Sequence, residues 1–277
     1  MTFAPFTHYT TRMEHYVIQG GRTGYERLLL LDRDRWPDTQ ALLARAGVGA
    51  GMRCLDLGCG GGQVTLELAR LVAPGGTATG VDMDDVKLAL AREEAVRQGI
   101  TNIAFRAENV NDWDEPAAYD VVFSRYLLQH LSQPVALLRH MWAAVRPGGV
   151  LIVEDADHEG WCSYPANDGF AFYLRNFNAV IARAGGDPTA GRKLYTYFRE
   201  ASIPDAHVNM VGVLHRVDEG KQLALSTLDT TADAVRAADL ATADEIAAAR
   251  QQLVTLTNDP HSLIVGPRIF QVWARRP

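Results

Sequence analysis

The sequence is poor in the residues that staple or ligate. Only three of its 277 residues are cysteines, Cys54, Cys59 and Cys162, and no CxxC pair occurs. This excludes a disulfide framework and gives no zinc pattern. No run of 18 apolar residues is present, so no helix is expected to span a membrane and no membrane partner is expected. No Lys/Arg block stands out, and 27 Lys and Arg are outnumbered by 33 Asp and Glu, for a net charge of -6. Affinity for a nucleic-acid backbone comes mainly from neutralising phosphates, so no nucleic-acid partner is expected. Residues 1–16 carry Thr, His and Glu and lack the apolar centre of a secretory signal. The expected compartment is therefore the cytoplasm. Internal repeats and low-complexity tracts are also missing.

What is present is ample core material, with 47% hydrophobic residues, and a regular alternation of short apolar runs with helical periodicity. Strands are expected at 52–57, 77–81, 103–105, 120–123 and 150–153. Helices are expected at 63–72, 84–98 and 134–145, with Gly99 stopping the second. Pro147-Gly148-Gly149 reads as a tight turn before the fifth strand. Five strands joined by helices imply a parallel sheet covered on both faces, doubly wound because crossovers are right-handed. Beyond Glu154 the pattern changes. An aromatic-rich helix is expected at 169–183, then a Gly185-Gly186-Asp187-Pro188 turn and a short helix. A strand is expected at 207–214. Thr242 and Glu245 form a capping-box pattern for an Ala-rich helix to about 255, and a last strand runs over 268–274. The expectation is one domain, 1–277: an N-terminal helical arm (1–48), a cofactor-binding core (49–155), then substrate-side helices with the last two strands (156–277).

The strongest local signal is Leu55-Asp56-Leu57-Gly58-Cys59-Gly60-Gly61-Gly62, which ends a strand and opens a helix. Asp82 ends the next strand, 24 residues after Gly58, where a carboxylate can accept hydrogen bonds from ribose hydroxyls. Those two features also fit a nicotinamide dinucleotide. Its fingerprint, however, needs a third small residue, and the two registers place Gln63 or Thr65 there. Asp56 would repel a pyrophosphate and attract an amino group or a sulfonium.

With these residues in hand, the D-x-G-x-G-x-G loop and the acidic end of the second strand resemble the class I S-adenosylmethionine-dependent methyltransferase family, in particular its small-molecule subgroup. Residues 105–110 (Phe-Arg-Ala-Glu-Asn-Val), 119–125 and 145–151 are similar to its later segments, and the likeness is close from about 16 to 155. The resemblance implies a Rossmann-like, doubly wound, mainly parallel seven-stranded α/β sheet with an N-terminal helical arm and a helical cap insertion. It implies S-adenosyl-L-methionine as cofactor. Gly58, Cys59 and Gly60 would present backbone to it, beside Gln63. Asp56 would draw in its amino group, Asp82 would hold the ribose, and Met83 would pack on the adenine. Glu108 or Asn109 would meet the adenine amine, next to Val110. Ser124 and Arg125 would line the methionine end. In the arm, Tyr16 or Arg27 would touch the methionyl group. Glu108-Asn109 departs from the Gly-Asp usual there. Ser124-Arg125-Tyr126 replaces the Asn-Pro-Pro-Tyr type of many nucleic-acid amino-methyltransferases.

Methyl transfer from a sulfonium demands positioning and exclusion of water, and a base only where the acceptor must lose a proton. Ligands gather at the carboxyl ends of parallel strands. That makes His158 the first candidate base and His130 the second. Trp161, Tyr164, Phe170, Tyr173 and Phe177 are candidates for an acceptor roof. The acidic run Asp155, Asp157 and Glu159 reads as a solvated loop, and no metal is expected. The expected partner is a small-molecule acceptor, with an O, N or C acceptor atom; a homo-oligomer is left open. Three other readings stand beside this one. The first is a protein that binds S-adenosylmethionine but performs non-methylating chemistry. The second is a nicotinamide oxidoreductase. The third is a non-catalytic binding module with a vestigial glycine loop, against which the intact Asp56, Gly58, Gly60 and Asp82 argue.

Overall fold

Two interleaved apolar sets in the central strands decide the architecture. The computed structural model describes residues 17–277. After α1 (Gly21–Arg45) come β1 (Arg53–Leu57), α2 (Gln63–Leu71), β2 (Thr77–Asp82), α3 (Asp85–Arg97), β3 (Ile103–Ala107), β4 (Tyr119–Arg125), α4 (Pro134–Ala144) and β5 (Val145–Asp157). Leu55, Leu57, Val122, Leu151 and Val153 point to one face of the sheet and pack with Leu137, Leu138 and Met141 of α4. Their neighbours Cys54, Val121, Phe123, Val150 and Ile152 point to the other face, against Leu42 and Leu43 of α1 and Val64 and Leu68 of α2. A strand apolar on both faces can only sit in a sheet covered on both sides.

The remaining elements are β6 (Cys162–Tyr164), α5 (Asp168–Arg183), α6 (Ala190–Glu200), β7 (His207–Val211), β8 (Leu214–His215), α7 (Leu223–Ala237), α8 (Ala243–Asn258), β9 (Leu263–Val265) and β10 (Arg268–Arg275). The main sheet has seven strands in the order β3-β2-β1-β4-β5-β10-β7. The first five are parallel, and β10 runs antiparallel to both β5 and β7. The order reverses between β1 and β4, which opens a crevice at their carboxyl ends, where ligands bind in such sheets. Above that crevice α5, α7 and α8 form a cap with its own core, including Phe170, Tyr173, Phe177, Leu228, Ile246 and Leu253. The capping box of α8 is formed by Thr242 and Glu245.

The structure corrects the sequence reading in several places. The fifth strand does not stop at Val153 but continues to Asp157, because β10 pairs with it from Val150 to Asp157. The 147–149 turn is an irregularity within that strand. The register against β4 jumps from Tyr119↔Val145 to Val121↔Val150, and Gly148 takes a φ of 80° to allow it. The strand expected at 207–214 is two strands. β7 edges the main sheet and β8 joins a three-stranded sheet, β6-β9-β8, that the sequence did not suggest. Helix α7 was not expected at all. No helix among the described residues is long and apolar enough to cross a membrane.

Candidate active site

Local backbone demands build the floor of the site. β1 ends at Leu57, and Gly58 and Cys59 both donate their N–H groups to the Val81 carbonyl, at 2.8 and 3.0 Å. The chain then reverses into α2 through Gly58, Gly60 and Gly62, with φ of 72°, 55° and 77°. A Cβ at Gly62 would stand 2.6 Å from the Phe105 ring, and one at Gly60 2.8 Å from Leu28. Glycine is thus required by both conformation and space. Asp82, at the end of β2, accepts from Gly60 N at 2.8 Å and from Asp84 N at 3.0 Å. One carboxylate therefore ties the glycine loop to the start of α3. Asp84 caps α3 and accepts from Gly21 N at 3.1 Å, which anchors the arm.

Helix α1 crosses the mouth of the crevice. Arg125, at the end of β4, donates to Asp32 at 2.7 Å and to Thr39 at 3.1 Å. Thr39 in turn donates to Glu154 at 2.7 Å, and Gln271 donates to the other Glu154 oxygen at 2.7 Å. Leu28 packs on the glycine loop, and Arg27 donates to Thr227 of α7 at 2.9 Å. The result is a cavity of about 520 Å³ between the sheet, the arm and the cap, within the range typical of small-molecule sites.

Asp56, Gly58, Cys59, Gly60, Gln63, Asp82, Met83, Glu108, Asn109, Val110, Arg125, His130 and His158 all line this cavity. Tyr16 lies outside the described residues. Ser124 does not line the cavity: its side chain is fully buried in β4, and its Oγ has no hydrogen-bond partner. Asn109 Oδ1 is already used by the N–H and the side-chain amide of Asn111, at 3.0 and 3.1 Å. Glu108 pairs with Arg106 at 3.1 Å. Of the aromatic candidates, Trp161 and Phe177 line the cavity, whereas Phe170 and Tyr173 lie buried in the cap core. Tyr164 is 68% exposed and takes no part.

The electrostatics follow from burial. Asp56 is buried and accepts from Thr65 Oγ1 at 2.7 Å. Burial pushes its carboxyl up to about 7, against that hydrogen bond and the field of Arg125. The Cys59 thiol is raised in the same way and stays protonated. His158 is buried, stacked on Phe177 at 5.3 Å, and its Nδ1 meets Asn178 Oδ1 at 2.7 Å. Burial lowers His158 to about 4 and His130 to about 3. Both are neutral at pH 7 and weak as bases.

The acidic run that ends β5 is not a solvated loop. Asp155 and Asp157 are fully buried, in the part of β5 that pairs with β10 beyond the last β4 pair at Glu154. Asp155 accepts from the Gln129 and Ala156 N–H groups at 3.0 and 2.8 Å. Asp157 is held by Arg192 and Arg268, at 2.7 Å each. Glu159 stays 64% exposed in its side chain and pairs with Arg192. The sequence reading missed Arg35, Tyr126 and His215, which also line the cavity. The only sequence signal was the Asp32-Arg33-Asp34-Arg35 charge cluster directly after the apolar Leu28–Leu31 stretch.

A reversing parallel sheet, a glycine loop at its switch point and acidic ends on both flanking strands define a class I S-adenosylmethionine-dependent methyltransferase. A family model described as a methyltransferase domain matches residues 49–202, more than half of the chain, and the chain belongs to that family. An uncharacterized methyltransferase of Schizosaccharomyces pombe is 34% identical over 149 residues, 51% of this chain and 53% of that protein. A ubiquinone biosynthesis O-methyltransferase of Sodalis glossinidius is 37% identical over 110 residues, 39% of this chain and 43% of that one. The chain thus spans about half the length of the curated relatives it matches. Among solved structures, phosphoethanolamine N-methyltransferase 2 of Haemonchus contortus, in complex with phosphomonomethylethanolamine and S-adenosylhomocysteine, superposes with a TM-score of 0.58. At 16% identity, over 91% of this chain and 58% of that one, it shows a shared fold.

Proposed function

We propose that the protein binds S-adenosylmethionine and transfers its methyl group to a small-molecule acceptor. One observation carries this reading: the two acidic strand ends, Asp56 and Asp82, and a separate aromatic wall of Trp161 and Phe177 open into one cavity. The donor set fits the cofactor. A buried carboxylate suits a ligand ammonium, a carboxylate beside backbone amides suits a diol, and Met83 offers an apolar surface to a purine. When bound, the cofactor supplies a methyl group on a sulfonium, open to in-line displacement.

The chain's own residues bind and orient. Gly58, Cys59, Gly60 and Gln63 bring the backbone of the loop against the ligand. Asp56 holds the amino group, Asp82 the ribose, and Glu108, Asn109 and Val110 border the adenine. Arg125 fixes the arm over the methionine end through Asp32. The arm and the cap exclude water from the reacting atoms. His158 and His130 stand at the carboxyl ends of β5 and β4 as neutral groups able to orient an acceptor by hydrogen bonds. A cytoplasmic location accompanies this reading, supported by cysteines that are all free.

Calorimetric titration with S-adenosylmethionine, S-adenosylhomocysteine and NADH tests it. Micromolar binding of the first two, and none of NADH, is expected. Binding of NADH alone would replace the reading with an oxidoreductase. Bound cofactor without methylated product across an acceptor screen would favour non-methylating chemistry.

A further inference from the structure

A second cluster of titratable groups lies in the cavity wall, away from the glycine loop. His215, at the end of β8, is buried, and its Nδ1 meets Asp218 Oδ1 at 2.7 Å and Asp34 Oδ1 at 3.5 Å. Asp218 is itself fixed, accepting from Gly220 N at 3.0 Å and Arg216 N at 3.3 Å. Gly220 lies flat against the ring: a Cβ there would stand 2.3 Å from both Cε1 and Nδ1. The imidazole therefore has one seat and one orientation. Its other nitrogen, Nε2, faces Arg35 Nη2 at 3.4 Å, long for a hydrogen bond. Arg35 is itself buried, paired with Asp34 at 2.6 Å, and two of its nitrogens, Nε and Nη1, have no hydrogen-bond partner.

The donor atoms of Asp34, His215 and Asp218 lie within 4.8 Å of one another, a spacing open to a metal ion. The Arg35 guanidinium against Asp34 opposes a cation there, because it places a full positive charge beside one of the ligands. The arrangement instead matches an imidazole whose tautomer is set by carboxylates. With Nδ1–H given to Asp218, the Nε2 lone pair is the free end.

The position also points to the acceptor. On α1, Arg35 sits between Asp32, which holds Arg125 at the end of β4, and Thr39, which holds Glu154 in β5. Its wall therefore overlies the carboxyl ends of β4 and β5, across from the cofactor-side residues of β1 and β2. Tyr126, Leu31, Ile264 and Pro267 line the cavity with it. The charged groups facing the ring are Asp34 and Arg35 from α1 and Asp218 from its own loop. Nearby, Glu219 is paired outward with Arg33.

We infer that His215 is the base that takes the proton from a phenolic acceptor whose oxygen sits between His215 Nε2 and Arg35 Nη2. This rests on the methyltransferase reading above. The inserted oxygen replaces the long Arg35–His215 contact with two shorter ones. The acceptor O–H proton passes to Nε2, and the oxygen forms its bond to the methyl carbon. The methyl–sulfur bond breaks with its electron pair left on sulfur. Asp218 and Asp34 stabilise the imidazolium until its proton returns to solvent, while Arg35 stabilises the developing oxyanion. A phenol is the matching hydroxyl, since it ionises near pH 10, roughly 3–4 pH units above an imidazole. An aliphatic alcohol, comparable to bulk water at about 15.7, is out of reach of such a base. Trp161 and Phe177 supply surfaces suited to an aryl ring.

Two measurements test this, one of them independent of cofactor. In the free protein, ¹⁵N NMR of the histidine rings, assigned with His215→Gln, should show the Nδ1–H tautomer for the neutral His215 ring. An Nε2–H tautomer would overturn the proposal. With saturating S-adenosylhomocysteine and 4-nitrophenol as probe, about one pH unit below its ionisation in water, the wild type should show the phenolate band. His215→Gln should lose it by about tenfold, and Asp218→Asn, the milder variant, should weaken it. A band equal in wild type and His215→Gln, or absent from the wild type, overturns the proposal. Calorimetry separates the two readings. S-adenosylhomocysteine affinity within about twofold of wild type in both variants leaves the cofactor assignment standing. No S-adenosylhomocysteine binding to the wild type removes the cofactor assignment instead.

Discussion

If Asp56 receives the amino group of the cofactor, binding must release a proton. The carboxyl is buried, and burial raises it to about 7. A ligand ammonium selects the ionised form. Below pH 7 the site must first lose its proton, so affinity should fall about tenfold per pH unit, or about 1.4 kcal/mol. At pH 6 about 0.9 proton should leave per ligand bound, and at pH 8 about 0.1. The gross attraction at 4 Å is about 4 kcal/mol at an effective dielectric of 20. The desolvation that raised the pKa offsets part of it, and about 1–3 kcal/mol remains. Asp56→Asn keeps the shape and an acceptor for Thr65 but removes the charge. It should weaken binding by that amount at pH 8 and abolish the slope below pH 7. Titration with S-adenosylhomocysteine at pH 6 and pH 8, in two buffers of different ionisation enthalpy, measures both proton release and affinity. A wild-type affinity that is flat from pH 6 to 8, with no proton released, would refute the assignment of Asp56 to the ligand amine.

Three other outcomes are expected. Gly62→Ala forces a left-handed φ on alanine and a Cβ into Phe105 and Ala91, and should cost about 2–4 kcal/mol in denaturant unfolding. Arg125→Met leaves Asp32 and Glu154 without their cation, and should destabilise the fold by about 3–5 kcal/mol and speed amide exchange in α1 more than in α2. Asp155, raised to about 7 by burial, is more protonated in the folded than in the unfolded chain between about pH 4 and 7, so its contribution grows as pH falls through 7. His130 and His158, lowered to about 3 and 4, act oppositely below their unfolded value of about 6.5, at about 1.4 kcal/mol per pH unit each. Asp56, also raised to about 7 by burial, adds a second contribution that grows as pH falls, so two rising and two falling contributions nearly cancel. The melting temperature of the wild type should therefore change little from pH 6.5 to 5, while that of Asp155→Asn should fall.

Much of the central sheet was readable because its signals are local. Strand runs such as residues 120–123 are apolar on both faces, the breakers Gly99 and Gly58–Gly62 fall between elements, and Asp84 caps the helix it precedes. The glycine loop was readable for the same reason: one strand, one turn and one helix, contiguous from Arg53 to Leu71, carry it. Where the reading failed, the missing information was far away in the chain. Glu154, Asp155 and Asp157 look like loop residues because charges ordinarily stay in water. They are buried because Thr39 and Gln271, 115 and 117 residues from Glu154, and Arg192, 35 residues from Asp157, meet them inside. Strand pairing with β10 then carries β5 four residues past Val153, with Ala156 the one apolar side chain among them.

The same logic explains why His215 carries no local signature. His158 and His130 follow strands whose carboxyl ends the local pattern locates. His215 ends a two-residue strand that exists only through pairing with β9. Its partners Asp34 and Arg35 lie about 180 residues earlier, in the arm. No local pattern marks such a residue; only the closure of arm over cap brings it to the wall. Burial then sets the chemistry of each ring. His158 and His130 face an environment that lowers their basicity, chiefly by desolvation, and are suited to hold an acceptor. His215 has carboxylates against one nitrogen and an arginine near the other, the arrangement that lets an imidazole accept a proton and give it back.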